Sequence, residues 1–94
     1  MMNNDGKILP FNEESLGKNE FIRTFSSDTD SGEFMWHRDR EDRIISPLEP
    51  TDWKFQMDNE LPVPIEGEIF IPKGVYHRVI KGTGELRIKL IKLD

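Results

Sequence analysis

From Phe21 onward the chain is a series of short apolar runs cut by glycine, proline, asparagine and serine at intervals of roughly ten residues. Two of these runs alternate strictly. In Asp52-Trp53-Lys54-Phe55-Gln56-Met57 and in Glu85-Leu86-Arg87-Ile88-Lys89-Leu90 every second side chain is apolar. That period of two puts one apolar face and one polar face on an extended strand. No stretch sustains the helical period. A chain of this kind has one economical solution, an all-β barrel or sandwich whose strands each bury one face.

The other segments fit the same scheme. Phe21–Phe25, Glu33–His37 and Asp42–Leu48 read as strands, the last stopped by Pro47 and Pro50. Leu61–Ile65 holds two prolines and reads as an edge segment. Glu68–Pro72 and Tyr76–Lys81 are strands joined by the Lys73-Gly74 bend, and Gly82-Thr83-Gly84 forms the last turn. About seven or eight strands result. Residues 1–20 show no sustained period and read as a poorly structured arm, pinned by Ile8, Leu9 and Phe11 and holding at most a helical turn at 12–16. The barrel domain is expected over residues 21–94.

Ninety-four residues make one domain with a thin core. Without cysteine there is no disulfide, zinc ribbon or thiol nucleophile. The net charge of −5, with Arg38, Arg40 and Arg43 interleaved by Asp39, Glu41 and Asp42, argues against nucleic acid. No apolar run reaches bilayer length, and the N-terminus lacks a leader pattern, so no membrane contact and a cytoplasmic location are expected.

Chemistry centres on the two histidines, His37 and His77. On a strand His37 and Asp39 share a face, and with a distant His they make two imidazoles and one carboxylate. That facial set leaves coordination positions open and suits non-haem Fe(II). The alternative is that His37 and Asp39 belong to a solvated charged turn, Arg38 to Arg43. His77 stands at the end of Gly67-Glu68-Ile69-Phe70-Ile71-Pro72-Lys73-Gly74-Val75-Tyr76-His77. Pro72 ends one strand without requiring a ladder bond, Gly74 permits the tight turn, and His77 arrives on the next strand beside Val79.

Pro72-x-Gly74-x-x-His77 resembles the second signature of the cupin superfamily, and His37-x-Asp39 resembles the first with Asp in place of its second His. Together they cover residues 33–93. The glutamate of the first signature falls near Arg43 or Ile44, and Glu41 has the wrong spacing for it. The resemblance implies a double-stranded β-helix, a jelly-roll barrel often found as a homodimer, with its site in the barrel mouth. Carried over, it gives His37, Asp39 and His77 as ligands of one divalent metal (Fe, Mn, Ni or Zn), with Arg43 in the fourth corner. There Arg43 repels an ion or pairs with Asp39.

Trp53 and Phe55 share a face with Met57 and belong to the core or wall a pocket, and Tyr76 packs or donates a proton. Three functions follow: a metal-dependent enzyme acting on a small polar molecule, a metal-free protein that binds a small ligand or another protein, and a dimeric structural or interaction protein.

Overall fold

A computed structural model describes residues 11–28 and 34–93, and the elements named in it are all strands. The elements are β1 (Phe11–Ser15), β2 (Glu20–Ser26), β3 (Asp42–Pro47), β4 (Lys54–Met57), β5 (Val63–Pro64), β6 (Ile69–Ile71), β7 (His77–Ile80) and β8 (Glu85–Leu93). They form two antiparallel sheets, ordered β1-β2-β8-β3-β6 and β5-β4-β7. From β3 onward the chain passes back and forth between the sheets, entering the second at β4, the first at β6, the second at β7 and the first at β8. This makes an all-β jelly roll of cupin type.

Alternation decides which side chains face inward. Phe25 pairs with Leu86, Arg23 with Ile88 and Phe21 with Leu90, so β2 and β8 present one continuous inner face. Across the barrel, Trp53 and Phe55 from the β4 segment and Val79 from β7 complete the core with Ile45, Ile65 and Ile71. Each buried aliphatic or aromatic side chain contributes about 1.5–3 kcal/mol. Trp53 has no exposed surface, and its indole Nε1–H donates to Thr83 O at 3.3 Å.

Three segments differ from the sequence pattern. Residues 12–16 are not a helical turn, because 12–15 extend as β1 and pair in full register with β2. The strand expected over 33–37 shrinks to one antiparallel bridge at His37, since Phe34 and Met35 curl in place of extending. The fourth strand begins at Lys54 where Asp52 was expected. There the Asp52 carboxylate accepts from the Thr83 N–H and hydroxyl (2.9 and 2.8 Å), which turns the chain toward the Gly82 bend. Ile8, Leu9 and Glu33 lie outside the described residues.

Candidate metal centre

The two histidine-bearing segments are stitched together through their backbones. His37 N–H donates to His77 O at 3.0 Å and His77 N–H donates to His37 O at 2.8 Å. In such a narrow antiparallel pair both side chains leave the same face. The imidazoles therefore meet edge to face, with ring centroids 4.3 Å apart. Two more bonds fix the neighbouring turn. Gly74 N–H donates to Asp39 O at 2.9 Å, and Lys73 N–H donates to the Asp42 carboxylate at 2.8 Å. Gly74 takes φ of +78°, a conformation that glycine adopts without strain. Pro72-Lys73-Gly74 thus hooks the 39–42 segment and carries Asp39 to the histidines.

His37, Asp39 and His77 each turn one ligand atom into this space, all within 4.8 Å of one another. His37 Nδ1 lies 2.8 Å from Met35 O, and His77 Nδ1 lies 3.0 Å from Val75 O. A carbonyl only accepts, so both Nδ1 atoms carry the proton, and in the neutral rings both Nε2 atoms hold the lone pair. Metal-ligating histidines are oriented in the same way. Asp39 Oδ2 is buried 3.2 Å from His77 Nε2 without a well-formed hydrogen bond among the described residues. Two electron-rich atoms held that close need a proton or a cation between them. Ligands at right angles around an ion at about 2.1 Å stand about 3 Å apart, so closing on it is a rotamer-scale adjustment. The donor set fits a divalent transition metal.

Arg43 stands in the remaining corner. Its Nη2 is 3.4 Å from Asp39 Oδ1 and 3.2 Å from Glu41 Oε1, while its buried Nε has no hydrogen-bond partner among the described residues. The guanidinium engages one carboxylate oxygen and leaves the other toward the histidines. Burial pushes the Asp39 carboxyl up, but the adjacent His77 imidazole and the Arg43 guanidinium outweigh it, holding the carboxyl below the ordinary range. Glu41 is Arg43's partner and stays out of the donor group.

Beneath the group lies a small cavity whose walls include Phe25, Ile45, Phe55, Ile71, Val79 and Leu90, with His77, Asp39 and Arg43 at one side. Water centres can sweep about 20 Å³ of it, room for one or two waters. Of the four residues expected to line a pocket, Arg43 and Phe55 do so. Trp53 is not at the cavity wall; it packs against Phe34 in the core, with ring centroids 5.7 Å apart. Tyr76 is exposed on the outer face under the Arg38 guanidinium, because alternation from the inward His77 turns it outward. Arg23, which the sequence reading did not single out, also lines the cavity. Its position between Phe21 and Phe25 is the signal, since all three share the inner face of β2.

No family model matches the sequence, and no curated protein does. Solved structures do match. A cupin domain from Bordetella pertussis is similar at 17% identity and TM-score 0.62, over 95% of this chain and 99% of that one. A cupin-2 domain protein from Shewanella frigidimarina is similar at 20% identity and TM-score 0.59, over 89% and 79% of the two chains. Fe(II) HppE is similar at 15% identity and TM-score 0.57, over 79% of this chain and 41% of that longer one. At these identities the likeness is one of fold, and the fold is cupin-like.

Proposed function

We propose that this protein is a small cupin-fold metalloprotein that holds one divalent transition metal on His37, Asp39 and His77 and acts on, or binds, a small polar molecule there. The observation that carries this reading is the convergence of both Nε2 atoms and the Asp39 carboxylate, with each Nδ1 tied to a backbone carbonyl. Two imidazoles and a carboxylate, with no sulfur, suit Fe(II) best, with Mn, Ni and Zn as competitors. Fe(II) HppE, similar in fold, is an iron protein by its name. When bound, the metal would supply Lewis acidity and open coordination positions. The chain's own part is to orient the imidazoles through Met35 and Val75, hold Asp39 Oδ1 through Arg43, and wall the space with apolar side chains.

A metal-free binding or assembly role is the second reading, favoured by the Arg43–Asp39 contact, which neutralises the carboxylate without an ion. Half-exposed Phe70 on edge strand β6 supports homodimer formation in either case.

Elemental analysis of tag-free protein, with thermal melts in added Fe(II) or Mn(II), decides between the two. The metal reading expects one ion per chain and a raised melting temperature. Absence of stoichiometric metal together with unmoved melts would sink it.

A further inference from the structure

We infer that the outer face behind the two histidines is a docking surface for an extended acidic protein segment whose carboxylates recur at every second residue; this goes beyond the metal reading and stands without it. Alternation builds the face. His37 and His77 point inward from their antiparallel bridge, so the residues on either side of them point outward in opposed pairs. Trp36 lies opposite Arg78, whose guanidinium carbon is 4.8 Å from the centre of the indole. Tyr76 lies opposite Arg38 in the same way, at 5.2 Å. Trp36 and Tyr76 each keep 43% of their surface exposed, and Met35, next in the chain, is exposed as well. Aromatic residues, Met and Arg are the types that protein interfaces concentrate, and Trp, Tyr and Arg carry most of the binding energy there.

Charge specifies the occupant. Carboxylates outnumber Lys and Arg in this chain, 18 to 13. Arg23, Arg43, Arg87 and Lys89 each pair with one. Arg38 and Arg78 pair with none among the described residues, although Arg78 Nε donates to Gln56 Oε1 at 2.9 Å. A guanidinium lying over a ring still presents N–H groups at its own edge, where a carboxylate can take them. Register then sets the spacing. Arg38 and Arg78 are diagonal neighbours across the bridge. Lys54 on β4 is the next diagonal step, because Arg78 pairs with Gln56 and Ile80 with Lys54. Each step spans about 7–8 Å. Carboxylates at i, i+2 and i+4 of an extended chain share one face at about 6.6–6.8 Å per step. Three cations in a line thus match three carboxylates of one strand-like segment, with Trp36 and Tyr76 against its flanks. A nucleic-acid strand fits less well, since the chain's net charge of −5 opposes a continuous polyanion and a guanidinium already covers each ring where a base would stack.

The test uses the full chain and three labelled probes: a peptide alternating glutamate with threonine, a peptide of the same composition with its glutamates in one block, and oligothymidylate. Fluorescence anisotropy reads affinity. Acrylamide quenching reads the place, because Trp53 has no exposed surface and Trp36 is the tryptophan that a docked peptide can shield. The alternating peptide should bind more tightly than the block peptide, shield Trp36, and weaken as salt is added. Arg38→Gln and Arg78→Gln should each weaken it at least about fivefold, the upper range for exposed pairs. Lys54→Gln, on a strand outside the bridge, should weaken it about 2–5-fold, which keeps the test decisive if an arginine variant fails to fold. Absence of binding by the alternating peptide, equal binding of the two peptides, or binding that the variants leave unchanged overturns the inference. Preference for oligothymidylate overturns it in favour of a nucleic-acid site. Self-association in sedimentation that Arg38→Gln abolishes overturns it in favour of a second copy, and each of these results leaves the metal reading untouched.

Discussion

Replacing Asp39 with asparagine separates the residue's part in holding a metal from its part in holding the fold. The side chains are the same size, so no cavity forms. In metal-free protein the change removes one long ion pair, Arg43 Nη2 to Asp39 Oδ1 at 3.4 Å, with both side chains mostly buried. Glu41 keeps the guanidinium paired at 3.2 Å, so the lost contact costs about 1 kcal/mol. The new amide can donate to His77 Nε2, which offsets part of that. The metal-free melting temperature should therefore move by no more than about 4–8 °C. With metal at a hundred times its dissociation constant, the native protein gains about 2.7 kcal/mol. That raises its melting temperature by about 10–20 °C. An amide is a poor substitute for a carboxylate ligand, and affinity should fall by about 100-fold or more. At the same metal concentration the variant then gains at most about 0.4 kcal/mol, or about 2–3 °C. Thermal melts of both proteins with and without metal read all four values. An equal metal-induced rise in the two proteins refutes ligation by Asp39. A metal-free loss above about 3 kcal/mol, the scale of a broken buried pair, would show instead that the residue serves mainly as an internal counter-charge.

Charge reversal at the fourth corner gives a gain-of-function test: Arg43→Glu should lower metal-free stability, since it sets a carboxylate against Asp39, and tighten metal binding at least about tenfold as repulsion becomes attraction. Calorimetric titration reads the affinity, and an unchanged or weaker constant would show that this corner does not face the ion. Gly82→Ala places a Cβ 2.7 Å from both Trp53 N and Trp53 Cδ1, and backbone cannot move aside cheaply. Overpacking of this kind destabilises by about 1–3 kcal/mol, and a melting temperature within about 2 °C of the native protein would contradict it. The Asp52 carboxyl is held below its ordinary value by the Thr83 N–H and hydroxyl. A depressed carboxyl adds stability above its unfolded-state value and loses it as pH falls through the folded value. Asp52→Asn should thus be less stable than native at neutral pH and converge with it in acid below about pH 4, and a pH-independent difference in melting temperature would discount the carboxylate.

Strand content was readable wherever alternation was strict or turn residues were dense. Val79, Leu86, Ile88 and Leu90 are inward on the period of two alone. Reading failed where the deciding contact was distant. Nothing local in Phe11–Ser15 marks a strand, and its extension depends on the open edge of β2. Glu33–His37 carries the residues of a strand, yet only His37 finds a partner, because the pairing is specified by the His77 segment and not by the residues around Phe34. Lys73-Gly74 reads as a bend joining two strands. It joins two different sheets, and a sheet assignment is a global property.

At the site, spacing alone could place His37 and Asp39 on one face but could not say whether that face met His77. The link is made by backbone atoms, the His37–His77 bridge and the Gly74–Asp39 bond, and these have no signature in residue type. The arginines show the opposite case. Arg43 stood out because a family pattern expected a different residue there. Arg23 did not, although Phe21-x-Arg23-x-Phe25 puts a guanidinium on an apolar inner face as plainly as any alternation in the chain. An inward charge within an apolar period is a local conflict, and a fold keeps such a conflict when something compensates for it. Glu13 is one compensating group, from the β1 edge strand inside what the sequence reads as a poorly structured arm. The arm therefore matters to the cavity, because its carboxylate pairs with a guanidinium of the cavity wall.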